Sequence, residues 1–190
     1  MKLLEERILK DGEIFGNDVL KVGSFLNHQI DVPFISKLGE ELLRLYSGCG
    51  VNKILTIEAS GIGIACLVAQ HFGCPVVFAK KSKSLNVGSD VYSTPVFSFT
   101  RKQTYEASVA KELMNENDRI LIIDDFLANG SALKALTELV RQSGATLVGA
   151  GIMIEKAYQG GGDLLRNEGI RVESLAKIAS MSEDGIVFCD

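Results

Sequence analysis

Residues 120 to 132, ILIIDDFLANGSA, join an apolar run to two adjacent acids, a short loop containing Gly130 and the start of a helical pattern. In open α/β sheets ligands bind just beyond the carboxyl ends of the strands, so chemistry is expected at this junction. A helix beginning near Ser131 turns unpaired backbone N–H groups and the positive end of its dipole toward the loop, which suits a phosphate dianion. Gly130 lets the backbone come close to that phosphate, and Asn129 and Ser131 can add side-chain donors. Ala128, Asn129, Gly130, Ser131 and Ala132 are therefore expected to hold a phosphate. Asp124 and Asp125 stand at the rim of the strand, where carboxylates can accept hydrogen bonds from the two vicinal hydroxyls of a ribose. A pair of acids alone reads as a helix cap beside a solvated carboxylate. The apolar strand before the pair and the glycine loop and helix after it favour the ribose reading.

The same construction of strand, loop and helix recurs at EASGIG, residues 58 to 63, after the apolar run Lys53 to Ile57. Gly61 and Gly63 make a G-x-G, but the third position of a dinucleotide fingerprint holds Cys66. The next strand then ends in Lys80 and Lys81 rather than in an acid for ribose hydroxyls. The basic run KKSK, residues 80 to 83, reads in isolation as a solvated face. Beside a turn that binds a leaving anion, Lys80 and Lys81 can neutralise the charge that builds up in a transition state.

These segments need a framework that brings strand ends together. Lys53 to Ile57, Val76 to Ala79 and Ile120 to Ile123 have the look of buried parallel strands. Helical patterns alternate with them: a segment after Pro33 with Ile35, Leu38, Leu42 and Leu45 on one face and ending near Gly48, one from Ile62 to Phe72 stopped by Gly73, and one carrying Leu133, Leu136 and Val140 that stops at Gly144. Thr146 to Ile154 resumes a strand. The expected fold is α/β, a mostly parallel sheet flanked by helices. Residues 80 to 111 lose the helical period and read as a long loop followed by a hairpin. The loop, about residues 82 to 94, is expected to be a flexible lid. The stretch Asp18 to Asp31 and the tail after Gly169 are strand-like and outside the main rhythm. They predict a small hood on the sheet, built mainly from residues 1 to 33 and 155 to 190, on a single domain covering residues 1 to 190.

Composition narrows the function. A formal charge of -4 argues against a protein whose main task is to neutralise nucleic-acid phosphates. Cys49, Cys66, Cys74 and Cys189 make no C-x-x-C pair, and His28 and His71 lie far apart in sequence, so neither zinc nor a disulfide framework is indicated. No apolar run reaches the roughly 18 to 20 residues needed to span a bilayer, and the N-terminus reads as a helix rather than a leader. No membrane association and a cytoplasmic location are the expectations.

The segment 120 to 132 resembles, without a gap, the signature of the type I phosphoribosyltransferases: four apolar residues, two acids, two apolar residues and a small-residue phosphate loop. The segments VLKVGSFLNHQIDVPF, EASGIGIA and GIMIEKAYQGG extend the resemblance to the bacterial xanthine-using branch of that family, homodimeric enzymes of purine salvage. Where many relatives carry Thr this chain has Asn129, and where they carry Gly-Thr it has Ser131-Ala132. The resemblance implies the type I phosphoribosyltransferase fold, with Asp124 and Asp125 on the ribose hydroxyls and residues 128 to 132 on the 5-phosphate of phosphoribosyl pyrophosphate. It implies that Ala59, Ser60, Gly61 and Ile62 offer backbone N–H groups to pyrophosphate, with Lys80 and Lys81 beside them. Leu20, Asn27 and Lys156 would surround the xanthine: Asn27 both donates and accepts, Leu20 covers a ring face, and Lys156 favours an electron-rich oxopurine. Magnesium is implied by the chemistry, because it bridges hydroxyl and pyrophosphate oxygens while asking for no direct protein ligand.

Two other readings stay open at this level. One is a phosphoribosyltransferase for guanine, hypoxanthine or adenine. The other is a non-catalytic regulator on the same fold that senses phosphoribosyl pyrophosphate or a nucleotide, disfavoured by the lack of spare length and of basic charge for a DNA-binding module. Some oxopurine phosphoribosyltransferases that this chain resembles carry an Asp at the position of Ala128, which cannot exchange protons. The proton leaving the base must therefore have another route, and a base that ionises near neutrality can supply one itself.

Overall fold

The computed structural model of the chain describes residues 1–16, 18–81, 90–98 and 103–189. Helix α1 (Lys2–Asp11) leads into a two-stranded antiparallel ribbon of β1 (Glu13–Phe15) and β2 (Val19–Lys21), then a π-helical turn over Gly23–Asn27. The strand character expected through residues 18 to 31 thus ends at Lys21. In helix α2 (Val32–Leu45), Asp31 caps the first turn by accepting from the Phe34 N–H at 3.2 Å, and Pro33 occupies a first-turn position where no N–H is needed. Ile35, Leu38 and Leu42 on its inner face are fully buried, each stabilising the fold by about 1.5–3 kcal/mol relative to an exposed side chain.

The central sheet holds six strands. β3 (Lys53–Ile57), β7 (Arg119–Leu127) and β8 (Thr146–Lys156) form its middle, with β4 (Val76–Ala79) at one side and β9 (Val172–Ser182) and β10 (Gly185–Phe188) at the other, in the order β10-β9-β8-β7-β3-β4. All neighbours are parallel except β9 and β10. Helix α3 (Ser60–Phe72) carries the chain from β3 to β4, and α4 (Ser131–Ser143) carries it from β7 to β8 in the opposite direction. The crossovers therefore part between β3 and β7, which is where open sheets leave a crevice at their carboxyl edge. Leu121 and Ile123 of β7 pack with α1, α2 and α3 on one face, while Ile120 and Ile122 pack with α4 on the other, the two-residue alternation of a strand buried on both sides.

Two expectations change. The tail after Gly169 does not stand apart from the sheet, because β9 pairs in parallel with β8 from Ala150↔Val172 to Lys156↔Ile178. β8 is an 11-residue, nearly continuous buried strand, and without β9 its outer backbone groups would lack partners. The lid boundary also moves: residues 82–89 lie outside the described residues, and 91 to 94 already belong to strand β5 (Val91–Ser98), which pairs with β6 (Gln103–Ala110) in an antiparallel hairpin. Lys80, just past β4, is tied to that hairpin by paired backbone hydrogen bonds with Ser108 at 2.9 and 3.0 Å. Among the described residues no helix is long and apolar enough to cross a membrane.

Candidate functional site

β7 runs further than the apolar run suggests, so Asp124 and Asp125 lie within the strand instead of at its rim, only 6% and 8% exposed. Their oxygens are organised by the chain itself: Asp124 Oδ1 accepts from the Asp125 N–H and Asp125 Oδ1 from the Phe126 N–H, both at 3.0 Å. Burial pushes the Asp124 carboxyl well above the usual carboxylate range, and the neighbouring Asp125 charge pushes it further. The charge of Lys81 works the other way.

The turn after β3 reaches this pair. A Cβ placed on Gly61 would lie 2.2 Å from Thr56 Oγ1 and 3.3 Å from Asp124 Oδ1, so only glycine lets the turn close onto the acids. Thr56 Oγ1 is buried without a hydrogen-bond partner. A Cβ on Gly63 would meet the Ile30 side chain at 2.1 Å. Close packing thus accounts for Gly61, while at Gly63 the contact is with the tip of a flexible side chain that can turn aside. The Glu58–Ala59 peptide is cis, and the Lys81 N–H donates to Glu58 Oε1 at 2.5 Å. Of the four N–H groups expected to face an anion at Ala59, Ser60, Gly61 and Ile62, that of Ile62 is already donated to Ala59 O at 3.2 Å. Helix α3 begins at Ser60, so the turn retains the remaining first-turn donors. Lys81 Nζ stands 5.4 Å from the Tyr105 ring centroid, which sets the basic residues against the hairpin.

The loop after β7 lies on the opposite side of the crevice. Gly130 adopts φ 86°, a left-handed conformation natural only to glycine, immediately before α4. Asn129 Oδ1 accepts from the Ser131 N–H at 3.0 Å, so this side chain shapes the loop as well as offering its amide group. Ala128, Asn129, Gly130, Ser131 and Ala132 line one cavity of about 1010 Å³ together with Leu20 and Lys156. Strand β2, the loop after β7 and the end of β8 therefore meet around a single space. Phe126 lines it too, with Lys156 Nζ 5.9 Å from the ring centroid. Lys156 Nζ donates to the backbone oxygen of Asp18, and Asp18 Oδ1 accepts from Tyr158 Oη at 3.1 Å. Burial lowers the Lys156 pKa, with the Asp18 charge opposing.

Asn27 closes the remaining gap between hood and strand, its Nδ2 donating to Asp125 Oδ2 at 2.8 Å. Its turn is anchored from below by Arg7, whose guanidinium carbon lies 5.0 Å from the Phe25 centroid and 5.1 Å from that of Phe34, while Nη1 donates to Asp31 Oδ2 at 3.0 Å. Two strand-loop-helix junctions, a buried carboxylate pair and a cavity alongside make an arrangement able to accept a ligand with anionic groups and a flat ring.

A protein-family model for the phosphoribosyl transferase domain matches residues 35–167. The chain belongs to the phosphoribosyltransferase family. Among curated relatives, a xanthine phosphoribosyltransferase of Ruminiclostridium cellulolyticum is 54% identical over 190 residues, covering 100% of both chains. One of Lachnoclostridium phytofermentans is 55% identical over 188 residues, covering 98% of this chain and 97% of its own. Among solved structures, the adenine phosphoribosyltransferase of Trypanosoma brucei superposes with a TM-score of 0.79 at 18% identity, covering 96% of this chain and 82% of its own. That of Thermoanaerobacter pseudethanolicus gives 0.75 at 21%, covering 92% and 99%. At that identity the structures speak for the fold alone, an α/β phosphoribosyltransferase with a mostly parallel sheet.

Within this phosphoribosyltransferase, sequence reasoning missed the groups that support the cavity. Asp18 carries no local signal in the strand-like stretch 18 to 31, and Thr56 is one polar residue in the β-rich run Lys53 to Ile57. Glu155, only 1% exposed at the end of β8, is held by Arg166 through Nη1 at 2.9 Å and Nη2 at 2.6 Å. An acid inside the apolar run GIMIEK signals a buried charge in need of a partner, but only the fold identifies Arg166 of α5 (Gly161–Asn167) as that partner. As for a cation, no three His, Cys, Asp or Glu side chains come together among the described residues. The buried Asp124–Asp125 pair suits a divalent ion that brings most of its ligands from substrate and water.

Proposed function

We propose that the protein transfers the ribose 5-phosphate of phosphoribosyl pyrophosphate to xanthine, releasing pyrophosphate and xanthosine 5'-monophosphate, in purine salvage. The observation that carries this reading is the likeness over the whole chain, at 54% identity across 190 residues, to a relative named for xanthine. It takes in residues 1 to 34, which lie outside the family-model match and contribute Leu20 and Asn27.

In this reading residues 128 to 132 hold the 5-phosphate through backbone N–H groups and the helix dipole of α4. Asp125, oriented by Asn27, and Asp124 accept the ribose hydroxyls. The turn at Ala59, Ser60, Gly61 and Ile62 receives the pyrophosphate, and Lys80 and Lys81 offset its growing charge as the glycosidic bond breaks. Magnesium carried by the diphosphate would be held through Asp124 and Asp125 by way of hydroxyls and water, and supplies neutralisation of the leaving group. The purine lies against Leu20 and Phe126, with Asn27 and Lys156 at its polar edge. Lys156 favours the anionic form of the base, so the nitrogen that attacks the ribose carbon has already lost its proton and Ala128 need not take one. The lid expected over about residues 82 to 94, of which 82–89 lie outside the described residues, would exclude water from the activated sugar. A homodimer in the cytoplasm completes the reading and rests on the likeness to relatives.

The deciding experiment measures pyrophosphate release from phosphoribosyl pyrophosphate with magnesium and each of xanthine, guanine, hypoxanthine and adenine. The expected result is the highest kcat/KM for xanthine. Greater efficiency with adenine would sink the assignment of the base, and no release with any purine would sink catalysis in favour of a sensing role.

A further inference from the structure

The 5-phosphate loop is not self-supporting. Gly161, at the start of α5, donates its N–H to Ala128 O at 3.1 Å. A Cβ on Gly161 would lie 2.2 Å from Ala128 O and 2.5 Å from both Asn129 C and Gly130 N, so the backbone of residue 161 is pressed flat against the loop. The next residue faces the other way: a Cβ on Gly162 would lie 1.9 Å from Glu155 Oε1 and 2.7 Å from Arg166 Nη1. Two consecutive glycines thus fill the space between the loop and the Glu155–Arg166 pair with backbone alone. Glu155 is fixed in turn. Besides the two bonds from Arg166 it accepts from Ser174 Oγ at 2.5 Å, and it pairs across the sheet with Leu127, the residue before the loop. Arg166 also donates to Val172 O at 3.3 Å, which ties the pair to the start of β9.

We propose that Glu155 and Arg166 are positioning residues for the 5-phosphate loop, acting through the Gly161–Gly162 turn to hold residues 128 to 132 where they bind the sugar phosphate. This rests on the reading that the loop binds the 5-phosphate. A buried charge pair also contributes to folding, and loss of one partner alone leaves an uncompensated buried charge. A positional role differs from a structural one in what it changes. A structural role lowers the fraction of folded enzyme and hence apparent kcat, whereas a misplaced loop raises KM for phosphoribosyl pyrophosphate and leaves KM for the base nearly unchanged.

Two variants separate these effects. Gly161→Ala adds one methyl group against the loop and leaves the ion pair in place. The double variant Glu155→Met with Arg166→Met removes the pair without stranding a charge. Steady-state kinetics of both, and calorimetric binding of ribose 5-phosphate, are compared with wild type, with thermal melting to establish folding. We expect KM for phosphoribosyl pyrophosphate and Kd for ribose 5-phosphate to rise on the order of 10- to 100-fold, as for displacement of a binding group by about 1 Å. KM for the purine should change by less than about threefold, and Arg166→Lys should recover part of the loss because it keeps one charged donor. Wild-type protein that does not bind ribose 5-phosphate overturns the functional reading and this proposal with it. Wild type that binds, with Gly161→Ala or the folded double variant binding equally well, overturns the positioning role alone.

Discussion

The side-chain amide of Asn27 donates to Asp125 Oδ2 at 2.8 Å, so a residue of the π-helical turn holds a residue of the central sheet. Asn27 was expected to recognise the base and Asp125 the ribose. Their direct contact makes the two halves of the site depend on each other. A hydrogen bond to a charged, buried acceptor contributes about 1.5–3 kcal/mol, enough to orient the carboxylate.

That contact changes what removal of Asn27 should do. From the sequence, Asn27→Ala is expected to weaken use of the purine far more than binding of phosphoribosyl pyrophosphate. With Asp125 released as well, we expect KM for both substrates to rise, the purine about 10-fold or more and the sugar several-fold less. Asn27→Asp, which sets a second charge against Asp125, should be worse for both. Steady-state kinetics with each substrate varied in turn checks this, and an unchanged KM for phosphoribosyl pyrophosphate in both variants would count against the coupling.

Asp124→Asn should separate stability from activity. The folded-state pKa of Asp124 is raised, so the folded protein holds this proton more tightly than the unfolded chain. The stabilisation is then fully present below the ordinary carboxylate pKa of about 3.9 and is lost as pH rises from there through the raised value. An amide cannot lose a proton, so the variant should melt at or above wild type near neutrality, and its stability should fall less as pH rises above the ordinary carboxylate range. Turnover should drop about 10- to 100-fold from the altered ribose hydrogen bonding. A variant that melts lower than wild type at neutral pH would contradict the sign of the shift.

Gly61→Ala should distort the turn after β3 and lower activity, since the new methyl meets Thr56 Oγ1 at 2.2 Å. Because Thr56 Oγ1 has no hydrogen-bond partner to lose, Thr56→Ala should be mild by itself and should restore part of the activity of Gly61→Ala. The double-mutant cycle would then show a coupling of about 0.5–3 kcal/mol. Strict additivity of the two losses would show that the methyl acts elsewhere.

The pH profile tests Lys156. Below neutrality, kcat/KM for xanthine should rise with pH as the base ionises. Burial lowers the Lys156 pKa, so at higher pH the lysine should give up its proton earlier than an exposed lysine and the profile should turn down rather than stay level. Lys156→Arg, whose charge persists at all working pH values, should abolish the downturn while changing the maximum. Identical alkaline limbs in wild type and Lys156→Arg would assign the downturn to another group.

The local pattern was enough to place most of the elements. Apolar β-rich runs marked β3, β4 and β7, the helical spacing of Leu133, Leu136 and Val140 marked α4, and Gly73 and Gly144 marked where α3 and α4 stop. These features are legible because they depend on residues within a turn or two of one another. The two strand-loop-helix junctions were legible for the same reason, each being a strand end, a glycine turn and a helix start in consecutive sequence. What depends on sheet order and on packing across the sheet was not. Whether Asp124 and Asp125 stand at the rim or inside the strand depends on how far β8 runs beside β7, and Asp124 pairs with Ile152. Whether residues 172 to 182 cap the sheet or extend it depends on an unpaired edge of β8 that no local pattern reveals. The pairings Asn27–Asp125 and Glu155–Arg166 arise because a buried charge must find a partner within hydrogen-bond reach, and which side chain is within reach is decided only when the chain has folded.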